Sequence, residues 1–170
     1  THVAVVVGLG GEPEHAETFR RWAGSLVDHA NARLDIPKER ILYLLDDPQQ
    51  DAQRATGKAT KDAIQKGLQA IGSSANPDDV VFIVLIGHGT WDGKAAKFNL
   101  PGPDMSAADF PAALKGFRTK NVIFVNTASA SGPFVEALEG HARVIVTATR
   151  SGAEQFATLF GGYFIDALAS

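Results

Sequence analysis

Short, continuously apolar runs alternate along this chain with longer segments in which apolar residues recur at helical spacing. Five runs rich in β-branched residues predict strands over residues 3–7, 41–45, 80–86, 122–125 and 144–147. Because these runs are apolar throughout, they are typical of parallel strands that helices cover on both faces. The pattern predicts an α/β fold, three layers around a mostly parallel sheet, with the first, third and fourth strands as neighbours.

Helices are predicted between these strands. Their apolar positions are Phe19, Trp22, Ala23, Leu26, Val27, Ala30 and Leu34 in the first helix, Ile64, Leu68 and Ile71 in the second, and Phe156, Leu159, Phe160, Tyr163, Phe164 and Leu168 in the last. Another helix is predicted to begin at Ser106, whose hydroxyl can cap the first turn while Asp109 follows three positions on. The polar segment 48–58 lacks periodicity, which indicates an exposed loop.

The bulk properties narrow the class of protein. A length of 170 residues with 45% hydrophobic residues predicts one domain, residues 1–170. A net charge of -3, with no basic cluster longer than Arg20-Arg21, argues against nucleic acid or an anionic membrane as a partner. The apolar runs fall far short of the about 20 residues of a membrane-spanning helix, so we expect a soluble domain.

The ends of the chain and its cysteine content add little about location. The chain has no cysteine, which excludes disulfides and thiolate metal sites but fits a reducing or an oxidising compartment. It begins at Thr1 without an initiator methionine and enters a strand at once. We therefore expect a piece of a longer product, and the compartment stays open.

Residues able to carry chemistry follow three of the predicted strands, in segments 8–11, 87–90 and 126–132. Ligands and catalytic groups gather beyond the carboxyl ends of parallel strands, so we expect these segments to form one site. The first segment matches a dinucleotide-binding loop poorly, because the third glycine of G-x-G-x-x-G would fall on Pro13. No cofactor is expected.

Two side chains of these segments suit proton transfer and nucleophilic attack. His88 lies between two glycines at a strand end, where an imidazole of near-neutral pKa can exchange protons with a reacting group. Ser129 should lie beside it if the third and fourth strands are neighbours. Ser131 is predicted to cap the helix that follows. The remaining histidines are predicted to be solvated: His2, His15, His29 and His141.

Residues 81–89, VFIVLIGHG, and 122–132, VIFVNTASASG, together resemble the caspase-like peptidases, with the legumain-like branch the nearest. In that superfamily one strand ends in His-Gly and a later one in Ala-Cys-x-Ser-Gly. The resemblance implies a caspase-like fold and peptide-bond hydrolysis through an acyl-enzyme. It also implies a peptide or protein segment in the crevice, and no metal.

The same resemblance assigns roles residue by residue. His88 corresponds to the catalytic histidine, Gly89 to the glycine whose amide can support an oxyanion, and Ser129 to the nucleophilic cysteine. Thr127 and Ala128 are predicted to contact the substrate. Thr127 stands where legumain-like enzymes carry an acidic residue, so their substrate preference is not carried over.

Serine at the cysteine position leaves three hypotheses open. A thiol holds some thiolate near neutral pH, whereas a hydroxyl needs a base within about 2.6–3.2 Å. The first hypothesis is a catalytically weak or inactive domain that binds peptide or protein. The second is an active hydrolase that uses Ser129 with His88, and the third is a Cys-to-Ser variant of an active cysteine peptidase. A direct hydrogen bond between Ser129 and His88 would favour catalysis.

Overall fold

A computed structural model describes residues 1–142 and 144–169, in which six strands form a parallel sheet and three form a small antiparallel one. The strands are β1 (His2–Val7), β2 (Ile41–Leu45), β3 (Gly57–Lys58), β4 (Val80–Ile86), β5 (Gly89–Trp91), β6 (Ala96–Phe98), β7 (Met105–Ser106), β8 (Asn121–Asn126) and β9 (Val144–Thr147). The large sheet has the order β3-β2-β1-β4-β8-β9, and every neighbouring pair is parallel. The predicted adjacency of the first, third and fourth long strands is confirmed.

Helices cover both faces of the large sheet. They are α1 (Pro13–Ala32), α2 (Lys61–Ser74), α3 (Phe110–Leu114), α4 (Phe134–Leu138) and α5 (Phe160–Ala169). Apolar residues of α1 and α5 pack on one face, and those of α2, α3 and α4 pack on the other. This arrangement of helix, sheet and helix confirms the predicted three-layer fold class.

Side-chain alternation along the central strands builds a separate core on each face. Phe124 points into the core that α2, α3 and α4 cover, whereas its neighbour Val125 points into the core under α1 and α5. Both residues are buried, as expected because successive side chains of a strand face opposite ways. The uninterrupted apolar runs of the sequence are explained by these two cores.

Three sequence-based expectations about local structure need correction. The segment 48–58 holds a 3₁₀ turn at Pro48–Asp51 and the strand β3, because the Asp47 carboxylate accepts the Gln49 amide and β3 pairs with β2. The helix predicted from Ser106 starts as a 3₁₀ turn, Ala107–Asp109, and α3 begins at Phe110. Sequence periodicity does not separate a tight 3₁₀ turn from an α-helix over so few residues.

The last helix begins later than predicted. Phe156 and Leu159 precede α5 and are 91% and 76% exposed, so they do not belong to its buried face. The Thr158 hydroxyl lies 2.6 Å from the Thr127 carbonyl oxygen and donates to it, which holds this part of the chain as a loop against β8. No helix within the described part of the chain is long and apolar enough to cross a membrane.

His2 is not solvated as predicted. Its side chain is buried at the start of β1, with Nε2 3.6 Å from the Asp79 carboxylate. Burial lowers the pKa of His2, more strongly than the nearby carboxylate raises it.

Candidate active site

The three segments singled out in the sequence meet at the carboxyl edge of the large sheet. Strands β1, β4 and β8 lie side by side in parallel, with Val7 opposite Ile86 and Leu85 opposite Asn126. The segments that follow these strands therefore leave the sheet at the same edge. The structure brings His88, Gly89 and Ser129 together there.

The glycine segment after β1 forms one wall of the site. A side chain at Gly10 would lie 2.5 Å from the Cα and Cβ atoms of Ala16, so only glycine allows this close approach to the first turn of α1. The approach brings the Gly10 carbonyl oxygen to 2.9 Å from Nε2 of His88. The segment thus contacts and orients the histidine.

The hydrogen bond from His88 fixes which of its ring nitrogens can act as a base. A carbonyl oxygen only accepts, so the bond to Gly10 requires a proton on Nε2. In the neutral imidazole, Nδ1 then carries the free lone pair. The pKa of His88 is lowered, first by burial and then by His15, while the Gly10 carbonyl raises it. His88 is therefore neutral over more of the pH range than an ordinary histidine.

Ser129 is buried, with 2% of its surface exposed, and its hydroxyl both donates a hydrogen bond to Gly89 and accepts one from it. Oγ donates to the carbonyl oxygen of Gly89 at 3.0 Å and accepts from the Gly89 amide at 3.1 Å. Within residues 1–142 and 144–169, no hydrogen bond joins Ser129 to His88. The strand-end neighbours therefore share an edge of the sheet without forming a hydrogen-bonded dyad.

Close backbone packing explains why a glycine stands at position 89. A Cβ there would overlap the Ser129 carbonyl oxygen and lie 3.1 Å from the Lys97 carbonyl oxygen. Gly89 also begins β5, opposite Phe98 of β6. The small antiparallel sheet thus anchors the residue that bonds the Ser129 hydroxyl.

The backbone is strained directly after Ser129. Ala130 has a φ of 53°, a left-handed conformation that costs a non-glycine residue of order 1 kcal/mol. Its amide lies 2.7 Å from the Glu154 carbonyl oxygen and donates to it. Strain of this kind persists only where the surroundings hold it, and it concentrates at functional sites.

Ser131 does not cap α4 as predicted. Its hydroxyl oxygen accepts the amides of Ala148 and Thr149, at 3.1 and 3.2 Å, and α4 begins at Phe134 with no side-chain cap. The segment after β9 returns against the segment after β8 and presents these two amides to the buried hydroxyl. Ser131 therefore ties two strand-end segments together.

Thr127 and Ala128, the predicted substrate contacts, are both buried. The Thr127 hydroxyl donates to the Leu85 carbonyl oxygen at 2.9 Å, and Ala128 packs in the core of the α2 face. Both residues hold β8 in place as the structure stands. Their contact with a substrate stays a prediction.

A fourth segment, residues 148–159 after β9, belongs to this site and was missed. The Glu154 carboxylate accepts the amides of Arg150 and Ser151, at 3.0 and 2.8 Å, and so shapes the turn. The Trp91 indole packs on Gly152, where a side chain would lie 2.5 Å from the ring. The signal was present in the sequence, because this segment also follows a parallel strand and thus reaches the same edge.

His15 was also missed as a site residue. It lies in the first turn of α1, half-buried, with its ring centroid 5.2 Å from that of His88. Its position early in a helix after the glycine segment was the only available signal. Across the part of the chain that the structure describes, the site included, no group of three His, Asp or Glu side chains is placed to hold a metal ion.

A family model links this geometry to known proteins. The model of the Peptidase C13 family matches residues 46–169, which include β4, β8 and the segments after them. The chain belongs to the Peptidase C13 family. This membership confirms the predicted legumain-like relationship. Activity at Ser129 is a separate question, because the match does not test the role of that residue.

Two further comparisons were made, with curated proteins and with solved structures. No curated protein matches it. Among solved structures, protein GSU0716 from Geobacter sulfurreducens is similar, with 16% sequence identity and a TM-score of 0.46. That match covers 99% of this chain and 65% of the other, so this chain spans about two thirds of its length.

Proposed function

We propose that this C13 domain binds an extended peptide or protein segment at the carboxyl edge of its sheet and hydrolyses peptide bonds weakly or not at all. The observation that carries the proposal is the bonding of Ser129. Its hydroxyl donates to the Gly89 carbonyl oxygen, which cannot take up the proton. A serine without a base in contact is a weak nucleophile.

The hydrogen bonding of Gly89 also supports weak or absent hydrolysis. Acyl transfer needs amide donors aimed at the position where negative charge develops. Here the Gly89 amide, the donor that the family resemblance assigns to an oxyanion, is directed at Ser129 Oγ. The amide that would stabilise an oxyanion is therefore hydrogen-bonded to the residue at the nucleophile position. This bonding supports peptide binding rather than peptide hydrolysis.

A groove next to the Ser129 segment supports the binding of a peptide. Its volume is about 660 Å³, within the range of ligand cavities, and Trp91, Val135 and Ile145 supply apolar walls. Glu136, Glu139 and Arg150 also line it, so the groove offers charges of both signs. Mixed apolar and charged lining fits a peptide better than a nucleotide or a purely apolar ligand.

Labelling with a peptide-like acylating probe, read by intact mass, tests the weak-nucleophile part. We expect the parent protein to stay unlabelled and Ser129→Cys to become labelled, because a thiol needs less help from a base. The double variant with His88→Ala should lose most of this labelling. Ser73→Cys is the matched control, since Ser73 is an exposed serine on α2 with no histidine contact.

The outcome separates the proposal from its alternatives. Rapid labelling of the parent at Ser129 would show an active serine hydrolase. Equal labelling of Ser129→Cys with and without His88 would remove His88 from the chemistry. Labelling of Ser73→Cys as fast as Ser129→Cys would show general thiol reactivity.

Peptide binding is measured separately, from the shifts of backbone amide resonances. We expect pools of acetylated, amidated tetrapeptides to shift the backbone amide resonances of Gly89, Ala130 and Gly152 in ¹⁵N-labelled protein. Resonances of Ser73 and its α2 neighbours, on a helix away from the groove, serve as the internal reference. If no pool shifts the site resonances at millimolar peptide, the binding part of the proposal is wrong.

The free ring nitrogen of His88 favours an active hydrolase as the second candidate function. The neutral His88 ring keeps a free lone pair on Nδ1, which could accept a proton. Rotation of the Ser129 hydroxyl away from Gly89 would be required before Nδ1 could accept its proton. A Cys-to-Ser replacement is distinguished from both candidates by the residue that the natural gene encodes at position 129.

A further inference from the structure

Two rings of α1 enclose the imidazole of His88. The ring centroid of His88 lies 5.2 Å from that of His15 and 5.1 Å from that of Phe19, and both contacts are edge-on, at 89° and 68°. His15 and Phe19 also stack on each other, with centroids 5.9 Å apart. The three rings form a triangle at the edge of the site.

The position of the two α1 rings follows from the backbone. His15 and Phe19 are four residues apart and therefore share one face of the helix. The first turn of α1 is pressed against Gly10, where no side chain fits. Phe19 is buried in the core under α1, which anchors the pair. The rings that contact His88 are thus held by rigid elements.

A single hydrogen bond does not fix the orientation of the His88 ring. The bond between Nε2 and the Gly10 carbonyl oxygen leaves the ring free to pivot about it. Contacts from His15 and Phe19 restrict that pivot from α1. Within the described residues the His15 imidazole makes no hydrogen bond, so its contacts there are those of the ring.

We propose that His15 is a positioning residue for His88, and that its ring holds the His88 imidazole with Nε2 on the Gly10 carbonyl and Nδ1 free. The inference deepens the proposed function and rests on it, because His88 is the residue that a nucleophile at position 129 would use. His15 acts through His88 and contacts no reacting atom.

Electrostatics support this assignment. His15 is the titratable group that faces His88; its other partners are the Phe19 ring and the Gly10 carbonyl. A charged His15 disfavours a charged His88, which lowers the pKa of His88 beyond the larger effect of burial. Replacing His15 with an uncharged ring should therefore raise the midpoint at which His88 titrates.

The test compares His15→Phe, which keeps a ring, with His15→Leu, which keeps only apolar volume, in ¹⁵N-labelled protein. Long-range ¹H–¹⁵N spectra report the tautomer and titration midpoint of His88. We expect the Nε2–H tautomer in the parent and in His15→Phe, with a higher midpoint in the latter. His15→Leu should give a mixture of tautomers. An unchanged tautomer in His15→Leu would overturn the proposal.

A second readout uses the Ser129→Cys background. At neutral pH and saturating probe, His15→Leu should slow acylation about tenfold relative to His15→Phe, because misplacement of a catalytic group by about 1 Å can cost about 100-fold and a loosened His88 ring is displaced only part of the time. Equal rates would contradict the proposal. Thermal melting of both variants shows whether the fold is retained. If His15→Leu does not fold, His15→Ala, which also lacks a ring, takes its place, and an unchanged His88 tautomer in that variant overturns the proposal.

The two proposals fail in different ways. The tautomer of His88 is read with Ser129 in place and needs no labelling reaction. If Ser129→Cys does not acylate while His15→Leu changes the tautomer, the proposed function is wrong and the positioning role stands. If Ser129→Cys acylates and the tautomer is unaffected by His15→Leu, the positioning role is wrong.

Discussion

The middle of strands β4 and β8 and their carboxyl ends are stabilised by different forces. In the middle, the Phe124 ring lies 5.2 Å from Phe110 and 6.3 Å from Phe134, and all three side chains are buried. At the ends, buried hydroxyls of Ser129 and Ser131 are bonded to backbone groups. Apolar burial is non-directional, whereas a buried hydroxyl depends on the position of each partner.

This comparison shows why the Ser129 hydroxyl has backbone partners on both its donor and its acceptor side. The buried hydroxyls of Ser129, Ser131 and Thr127 at these ends all have partners, as buried polar groups require. The partner of Ser129 is Gly89, so the bonding that stabilises the edge also engages the hydroxyl. The His88 ring is half-buried and keeps a free nitrogen, so it is the more open member of the pair.

Of the predicted changes, Phe124→Ala in the middle of β8 should have the largest effect on the free energy of unfolding. We expect it to lower the free energy of unfolding by about 3–5 kcal/mol, because removing a fully buried ring leaves a cavity between Phe110 and Phe134. Equilibrium denaturation in urea measures the change, and Phe124→Leu should cost clearly less. A loss below about 1 kcal/mol for Phe124→Ala would mean that the middle of β8 is not central to stability.

Ser131→Ala should have an intermediate effect at the strand ends. The buried Thr149 amide would lose its acceptor, whereas the Ala148 amide keeps the Asn126 carbonyl oxygen, and leaving a buried donor unsatisfied costs about 1–3 kcal/mol. Ser73→Ala, on an exposed position of α2, is the matched control and should stay within about 0.5 kcal/mol. Equal effects of the two variants would show that Ser131 does not tie the segments together.

Replacing His88 should have the smallest effect on the free energy of unfolding, and this effect should depend on pH. Burial lowers its pKa below the ordinary value of about 6.5, so just below that pH the unfolded chain binds a proton that the folded chain does not. Stability therefore rises with pH through this window and falls on acidification. His88→Gln should flatten the slope below about pH 6.5.

A control is needed because His2 also titrates with a pKa lowered by burial. It contributes to the slope in the same direction, so some pH dependence should survive in His88→Gln. A slope unchanged from the parent protein would contradict the burial of His88. Denaturation curves at several pH values supply the measurement.

Much of the fold follows from the apolar pattern, and the misses have a common cause. The long strands are recognised as continuous apolar runs. The helices α1 and α2 have enough residues for helical periodicity to be recognised. The 3₁₀ turns and the start of α5 involve few residues, where a single tertiary bond such as that from Thr158 to Thr127 decides the outcome. The family relationship was also readable, because its residues follow two strands in a characteristic order.

What the sequence by itself determined is which groups reach the carboxyl edge of the sheet. His88 and Ser129 follow two buried strands, and because these strands are parallel both residues lie at the same edge of the sheet. Only the tertiary structure decided how they are bonded: Ser129 to Gly89, and His88 to Gly10 with the rings of α1 around it. Strand placement follows from apolar burial, which tolerates small displacements. Hydrogen-bond partners are chosen over tenths of an ångström, by segments far apart in the chain that meet only once it has folded.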